Sequence, residues 1–177
     1  KWFSSDLNYR VDRFKFSDGE IVTAAELGVT ELYNIFGTAG NDNRTGSAEN
    51  DFMHGYDGDD TLKGGAGDDV LEGGAGNDHL EGQAGSDTYL FTRGQGFDRI
   101  VNQDNGDTGV DTVEFTGGIT RNDVDFIMTT GNELSVRIKD TGEAINVNKW
   151  FSSDLNYRVD RFKFSDGEIV TTAQLIA

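Results

Sequence analysis

The sequence predicts an all-β protein built around a parallel β-solenoid, and three features of the chain lead to this class. A nine-residue unit repeats six times between Gly37 and Leu90, as GTAGNDNRT, GSAENDFMH, GYDGDDTLK, GGAGDDVLE, GGAGNDHLE and GQAGSDTYL. Every unit begins with glycine and carries aspartate at its sixth position. An apolar residue stands at the eighth position of the last five units.

Each unit combines a glycine-rich turn of six residues with a short strand of three. Glycine reaches positive φ without steric cost, so the turn is expected where glycines cluster. The eighth position is the middle of the strand and is occupied by Met53, Leu62, Leu71, Leu80 and Tyr89, with Arg44 as the exception and Ile35 continuing the register backwards. One apolar residue in three cannot bury itself alone, so we expect two strands per coil, on opposite sides of a thin core. The competing interpretation, a flexible Gly/Asp linker, would not keep a residue class in phase.

The charge of the chain is strongly negative, at −17 over 177 residues with 35% hydrophobic residues. This balance favours disorder unless something neutralises the charge. Between Gly37 and Leu90 twelve acidic residues face only Arg44 and Lys63, a net of −10. A nucleic acid is not an expected partner, because the chain has no basic stripe to neutralise phosphates.

Several other functional classes lack their signatures. The chain has no cysteine, so a disulfide framework and a thiolate metal site are excluded, and no apolar run is long enough for a membrane span. No P-loop, HExxH or GxSxG motif occurs, and His54 and His79 are interpreted as solvated strand residues. We therefore do not expect an enzyme.

The repeated aspartates predict a metal site. They are Asp42, Asp51, Asp60, Asp69, Asp78 and Asp87. Coils of a parallel sheet stack ~4.8 Å apart, so a cation midway between two coils would lie roughly 2.4 Å from each. That distance suits calcium–oxygen bonds of ~2.3–2.6 Å better than magnesium bonds of ~2.0–2.1 Å. The carbonyls of the glycine turns are further hard oxygen ligands, and the regular turns contribute Gly64, Gly65, Gly67, Gly73, Gly74 and Gly76.

The units GGAGDDVLE and GGAGNDHLE resemble the GGxGxDxUx nonapeptide of the RTX (repeats-in-toxin) family of haemolysin-type calcium-binding proteins. The resemblance implies a right-handed parallel β-roll with calcium ions between successive turns on the same edge. Alternate units share an edge, so the implied ligand pairs are Asp42 with Asp60, Asp60 with Asp78, Asp51 with Asp69, and Asp69 with Asp87. The implied cofactor is therefore calcium, with about four ions or more.

Some units depart from the family pattern. Position two carries Thr38, Ser47, Tyr56 and Gln83 in place of glycine. Glu49 replaces the glycine at position four of the second unit and either distorts the Asp51–Asp69 site or joins it. The Asp60–Asp78 and Asp69–Asp87 pairs fit the pattern best.

The segment after Tyr89 resembles the closing part of such rolls. In it Asp98 is either a ligand partner of Asp78 or part of a solvated turn. Strands are predicted at Asp111–Phe115, Val124–Met128, Leu134–Ile138 and Ile145–Val147. The runs DTVEF and VNKWF…VDRFKFSDGEIVT resemble the haemolysin-type calcium-binding-protein-related segment. Trp150, Phe151, Phe162 and Phe164 form either an aromatic ligand platform or, as we favour, a hydrophobic plug at the end of the roll.

A second repeat links the two ends of the chain. The run KWFSSDLNYRVDRFKFSDGEIVT occurs at 1–23 and, letter for letter, at 149–171. The offset of 148 residues indicates a tandem unit of that length, or alternatively an engineered fusion. We predict a preceding-unit tail and N-terminal cap at 1–36, in which the Trp2–Phe16 copy could close the other end. The β-roll should span 37–90 and a C-terminal cap 91–177.

These features predict a calcium-binding structural module. The resemblance implies a secreted bacterial toxin or adhesin-like protein that leaves the cell through type I secretion machinery, stays unfolded at low calcium and folds outside. Adjacent tandem units are expected partners. The alternative is a module that binds carbohydrate or a cell surface, with host glycans as partners and Arg93, Arg99, Arg121, Arg137 and Arg158 as candidate contacts. A catalytic toxin domain is the least favoured class.

Overall fold

The computed structural model describes residues 33–103, 109–129, 131–150, 157 and 159–176, and the backbone of 13–15 and 21–23. The first strands are β1 (Arg13–Lys15), β2 (Ile21–Thr23), β3 (Tyr33–Phe36), β4 (Asn43–Thr45), β5 (Asp51–Asp57), β6 (Thr61–Ala66), β7 (Val70–Ala75) and β8 (His79–Ala84). They are followed by β9 (Thr88–Phe91), β10 (Phe97–Ile100), β11 (Thr112–Phe115), β12 (Val124–Met128), β13 (Leu134–Ile138), β14 (Ala144–Val147), β15 (Arg161–Lys163) and β16 (Ile169–Thr171). A short 3₁₀ turn lies at Arg121–Asp123, and the helix α1 covers Thr172–Leu175.

The repeats form an all-β parallel roll with two facing sheets. One sheet has the order β12-β13-β14-β10-β8-β6-β4, and the other has the order β16-β15-β11-β9-β7-β5-β3. Neighbouring strands of the repeats are parallel, with Leu62 opposite Leu80 in one sheet and Met53 opposite Leu71 in the other. Each partner lies two units further along the chain, which confirms the prediction of two nonapeptides per coil.

Most strands of the roll are longer than the three residues predicted, although β4 has three. β6, β7 and β8 each have six residues and run from position seven of one unit through position three of the next. The glycine-rich start of the unit pairs in register, as Gly65 does with Gln83. The prediction of strand length was wrong because the ladder with neighbouring coils overrides the weak strand propensity of glycine.

The eighth positions form the core of the roll. Met53, Leu62, Leu71, Leu80 and Tyr89 are fully buried, and Ile35 of β3 packs against them. The row continues beyond the repeats through Ile100 of β10 and Val113 of β11, which pair in parallel with β8 and β9. β3 and β10 thus extend the same two sheets on either side of 37–90, while the proposed domain boundaries stay a prediction.

An antiparallel cap follows the roll. β12, β13 and β14 form an antiparallel meander whose last strand joins β10, and the hairpin β15–β16 joins β11. Trp150, Phe162 and Phe164 are buried there, and the ring of Phe164 stacks on Phe115 at 5.2 Å. Their burial supports the hydrophobic plug over the ligand platform. Phe151 lies outside the described residues.

The two copies of the repeated terminal run form the same hairpin. β1 pairs with β2 in the register Phe14 opposite Val22, and β15 pairs with β16 in the register Phe162 opposite Val170. The remainder of the predicted N-terminal cap lies outside the described residues. Within the described part of the chain, no helix has the length and apolar character needed to cross a membrane.

We predict that Leu71→Ala lowers the free energy of unfolding by about 2–5 kcal/mol in saturating calcium, because Leu71 is fully buried in the central row. Val70→Ala is the matched control, since the neighbouring Val70 is only partly buried. Chemical denaturation measures both. Equal losses from the two variants would contradict the assignment of the core row.

Candidate metal centre

The repeated aspartates form two columns, one on each edge of the roll. In each column the main-chain N–H of one aspartate donates a hydrogen bond to the carboxylate one coil later. On one edge the chain of bonds runs Asp42 to Asp60 (2.8 Å), Asp60 to Asp78 (2.8 Å) and Asp78 to Asp98 (3.0 Å). On the other it runs Asp51 to Asp69 (2.8 Å), Asp69 to Asp87 (3.0 Å), Asp87 to Asp111 (2.8 Å) and Asp111 to Asp160 (2.8 Å). The structure therefore brings together every aspartate pair that the spacing predicted.

The columns leave buried carboxylate oxygens without a donor. Asp60, Asp69 and Asp78 are at most 2% exposed, and in each of them Oδ1 accepts the N–H from the coil before. Their Oδ2 atoms are buried with no hydrogen-bond partner. Asp51 also has one such atom, its Oδ1. Buried polar atoms in proteins are almost always satisfied, so these oxygens point to a missing cationic group.

Glycine at the first position makes room for these carboxylates. A Cβ on Gly64 would clash with Oδ2 of Asp69, and a Cβ on Gly73 would clash with Oδ2 of Asp78. Gly74 has a φ of 109°, and a Cβ on it would clash with the carbonyl oxygen of Tyr56 in the coil before. The other predicted glycines also have positive φ, and Gly65 lies in β6 whereas Gly67 and Gly76 follow β6 and β7 directly. The turns thus bring carboxylate and carbonyl oxygens to each edge.

Burial and like charge act together on these carboxyl groups. Burial, then the neighbouring charges of Asp87 and Asp51, raises the pKa of Asp69 from its ordinary 3.8 to about 8. Burial also raises the pKa values of Asp60, Asp78 and Asp98. Each column therefore disfavours its own ionised form at neutral pH unless a cation is bound.

The donor set fits calcium. Among the described residues no three His, Cys, Asp or Glu side chains gather into a metal cluster, so an ion in a column would take two carboxylates at most. Main-chain carbonyls of the turns would have to supply further ligands. Calcium accepts about six to eight oxygen ligands, including carbonyls, in flexible geometry, whereas magnesium requires a small and near-ideal octahedron. The buried oxygens without a donor and the glycine turns match the first ion and not the second.

Asp98 is a member of its column and not part of a solvated turn, since it is only 1% exposed and accepts the N–H of Asp78. Sequence reasoning missed Asp111 and Asp160, which extend the other column. The signal was an aspartate two residues before a buried apolar residue, in Asp111-Thr-Val113 as in Asp160-Arg-Phe162. The glycine pattern ends before these residues, so the nonapeptide register did not reach them.

Protein groups also satisfy Asp111, the last but one aspartate of the second column. Gly82 N–H donates to the Tyr89 hydroxyl at 2.9 Å, and that hydroxyl donates to Oδ1 of Asn102 at 2.8 Å. The amide of Asn102 donates to Oδ2 of Asp111 at 2.6 Å. All three side chains of this relay, Tyr89, Asn102 and Asp111, are fully buried. A hydrogen-bonded relay of protein groups therefore occupies the place where the column meets the cap.

Other predicted residues lie away from the columns. Glu49 is exposed, and its main-chain N–H donates to the Ser47 hydroxyl at 3.1 Å. His54 and His79 lie in strands with their rings against Glu72 and Glu81, each at 2.8 Å. These histidine contacts agree with the interpretation as strand residues.

We predict that the calcium-free roll becomes more stable as the pH falls from about 8 toward about 4. Raised carboxyl pKa values mean that the folded state binds more protons than the unfolded chain in this range, so stability is lost as the pH rises. The circular dichroism signal of β-sheet in calcium-free buffer should increase on acidification. A signal that grew with rising pH would contradict the electrostatics.

We also predict that Gly73→Ala weakens calcium binding and destabilises the roll, because the new methyl group would fill the space held by the Asp78 carboxylate. Gly40→Ala is the matched control within the repeats, since no atom lies within 4 Å of the position that its methyl group would take. Calorimetric titration with calcium measures the difference. Equal effects of the two substitutions would refute the role assigned to the first position.

Two family models and two individual proteins are similar to this chain. The family model of the RTX calcium-binding nonapeptide repeat (4 copies) matches residues 36–71, 54–89 and 64–100, and that of the haemolysin-type calcium binding protein related domain matches residues 133–174. The iron-regulated protein FrpA of Neisseria meningitidis serogroup C is 39% identical over 88 residues, which cover 49% of this chain and 8% of that protein. The solution structure of the AlgE6R3 subunit of the Azotobacter vinelandii mannuronan C5-epimerase has a TM-score of 0.44 and 26% identity, covering 62% of this chain and 69% of that one. The chain belongs to the RTX calcium-binding nonapeptide-repeat family.

Proposed function

We propose that this chain is a structural module that folds when calcium binds between the coils of its roll. The observation that carries the proposal is the set of buried carboxylate oxygens without a donor at Asp60, Asp69 and Asp78. A bound calcium ion supplies positive charge and accepts oxygen ligands. The residues of the chain position those oxygens, hold the turns open with glycine and exclude water from the carboxylates.

The proposed ions lie along the two columns. On one edge, ions would be held by the pairs Asp60–Asp78 and Asp78–Asp98. On the other edge, Asp69 would contribute to two sites, one with Asp51 and one with Asp87. The turn glycines Gly64, Gly65, Gly67, Gly73, Gly74 and Gly76 would shape the loops whose carbonyls complete the shells. This role is supported for Gly67 and Gly76 by their positions just after β6 and β7, whereas Gly64, Gly65, Gly73 and Gly74 lie within the last residues of those strands.

Calcium control of folding follows from the charge balance. The chain carries −17, and the columns place carboxylates of adjacent coils next to one another, where their charges repel unless a cation binds. At low calcium this repulsion opposes folding, and at extracellular calcium of about 10⁻⁴–10⁻³ M the sites would fill. Such a switch suits a secreted bacterial toxin or adhesin-like protein that is exported unfolded by type I secretion machinery and folds outside the cell. The aligned segment spans 8% of FrpA, so the activity of a longer parent would lie elsewhere in it.

A glycan-binding role is the second candidate considered from the sequence. Of its candidate arginines, Arg93 pairs with Asp140 at 3.1 Å, and Arg121 lies over the ring of Phe126 at 4.8 Å. Arg99 lies 3.9 Å from Glu133, and Arg158 is outside the described residues. These contacts give Arg93, Arg99 and Arg121 partners within the chain, which favours the folding module, whereas Arg137 is exposed and stays a candidate contact. A glycan array probed with calcium present discriminates, because specific binding to one class of glycan would support the second role.

We predict that calcium, and not magnesium at the same concentration, converts the chain from a largely unfolded state to a β-rich one. Circular dichroism across a titration from chelator to millimolar calcium measures the transition. The physical reason is that calcium fits the oxygen-rich sites between coils and magnesium does not. A chain that is fully β-structured in excess chelator at neutral pH would refute calcium control.

We further predict that Asp69→Asn weakens calcium binding by roughly tenfold or more. Asp69 belongs to two neighbouring aspartate pairs of its column, and the number of charged ligands sets the affinity of such sites. Asp57→Asn is the matched control, because Asp57 is exposed at position three and makes the same change of charge. Calorimetric titration gives the affinities. If the two variants bind equally well, the column is not the site.

A further inference from the structure

We propose that Asp42 is a metal-free end of its column, because Thr38 and Arg44 occupy both of its carboxylate oxygens in place of calcium. The inference rests on the proposed calcium function and specifies which pair of aspartates holds the first ion of this column. It removes the Asp42–Asp60 step from the sites that the repeat spacing predicts. The first ion on this edge is then held by Asp60 and Asp78.

The second position of the repeat divides the units into two kinds. In units three to six this position has positive φ, with values of 79° at Tyr56, 120° at Gly65, 109° at Gly74 and 78° at Gln83. Tyr56 and Gln83 adopt this conformation although they are not glycine, which is unfavourable for a residue with a side chain. The first unit instead has Thr38 there, and its φ is not in the positive range. Ser47 of the second unit is not in the positive range either, so the conformation at this position separates the first two units from the last four.

Thr38 satisfies one carboxylate oxygen of Asp42 by donating two hydrogen bonds to it. Its main-chain N–H donates to Oδ2 of Asp42 at 2.6 Å, and its hydroxyl donates to the same atom at 2.8 Å. The equivalent Oδ2 atoms of Asp60 and Asp78 are buried without any partner. In the later coils Oδ2 of the aspartate is therefore available to a cation, whereas in Asp42 the same atom is already satisfied by Thr38.

Arg44 satisfies the other carboxylate oxygen of Asp42 through an ion pair. Its guanidinium lies 2.8 Å from Oδ1 of Asp42, the atom that in Asp60 and Asp78 accepts an N–H from the coil before. Arg44 stands at the eighth position, opposite Leu62 in the sheet, where the following units have an apolar residue. The one interruption of the apolar row thus places a permanent positive charge on the first carboxylate of the column.

The second unit shows half of the same arrangement. The main-chain N–H and the hydroxyl of Ser47 donate to Oδ2 of Asp51 at 2.6 and 3.1 Å. Oδ1 of Asp51 has no partner, and the eighth position of this unit is Met53. A serine or threonine at position two is therefore sufficient to satisfy one oxygen, and the arginine is needed to satisfy the second.

The test counts calcium ions bound to the full chain by native mass spectrometry, with calorimetric titration as a second measure. Asp42→Asn should leave the number of bound ions unchanged, whereas Asp78→Asn should reduce it. The double variant Thr38→Gly/Arg44→Leu restores the regular pattern of the repeat and should bind one ion more than the parent chain. Tyr56→Gly is the matched control, because position two of that unit already has positive φ, and it should not change the count.

Loss of an ion in Asp42→Asn would overturn the inference, and so would an unchanged count in a folded double variant. Circular dichroism in calcium establishes that each variant is folded, and Asp42→Asn decides the question alone if the double variant is not. A parent chain that binds no calcium would instead refute the proposed function. The two failures are therefore distinguishable.

Discussion

The fold depends on a single electrostatic constraint, the stacking of aspartate carboxylates along the two edges of a parallel roll. After the first aspartate of each column, every carboxylate accepts the N–H of the aspartate one coil earlier, so the same contacts that align the coils also bring like charges together. Burying an ionised carboxylate without a partner is strongly unfavourable. Under the proposed function, a cation between coils would offset this cost and cross-link the turns in register, so that folding would depend on the metal.

Protein groups satisfy one aspartate in each column. Thr38 and Arg44 satisfy Asp42 at the start of the first column, and Asn102, which is bonded to Tyr89, donates to Asp111 near the end of the second. On the first edge the residue paired with Asp98 in the next coil is the buried Ile145, so no further carboxylate follows there. The proposed metal sites thus precede a cap that the chain stabilises with its own hydrogen bonds and apolar packing, including the aromatic plug.

The nonapeptide period was sufficient to predict the coil, the core row and the pairing of the aspartates, because each depends on a strict register of residue classes. Asp111 and Asp160 were missed because their turns lack the glycine signature, although their spacing to the next buried apolar residue is the same. Strand length was underestimated because glycine propensity says little about pairing between coils. The role of Arg44 could not be predicted, since an arginine in an apolar row is recognised as an ion-pair partner only when the position of Asp42 is known.

The most direct test of the account is a crystal structure of the chain grown in calcium, with anomalous diffraction used to identify the ions. The account predicts calcium in contact with Oδ2 of Asp60, Asp69 and Asp78 and with carbonyl oxygens of the adjoining turns. Carboxylates that bind only water or protons, with no anomalous peak between the coils, would contradict it.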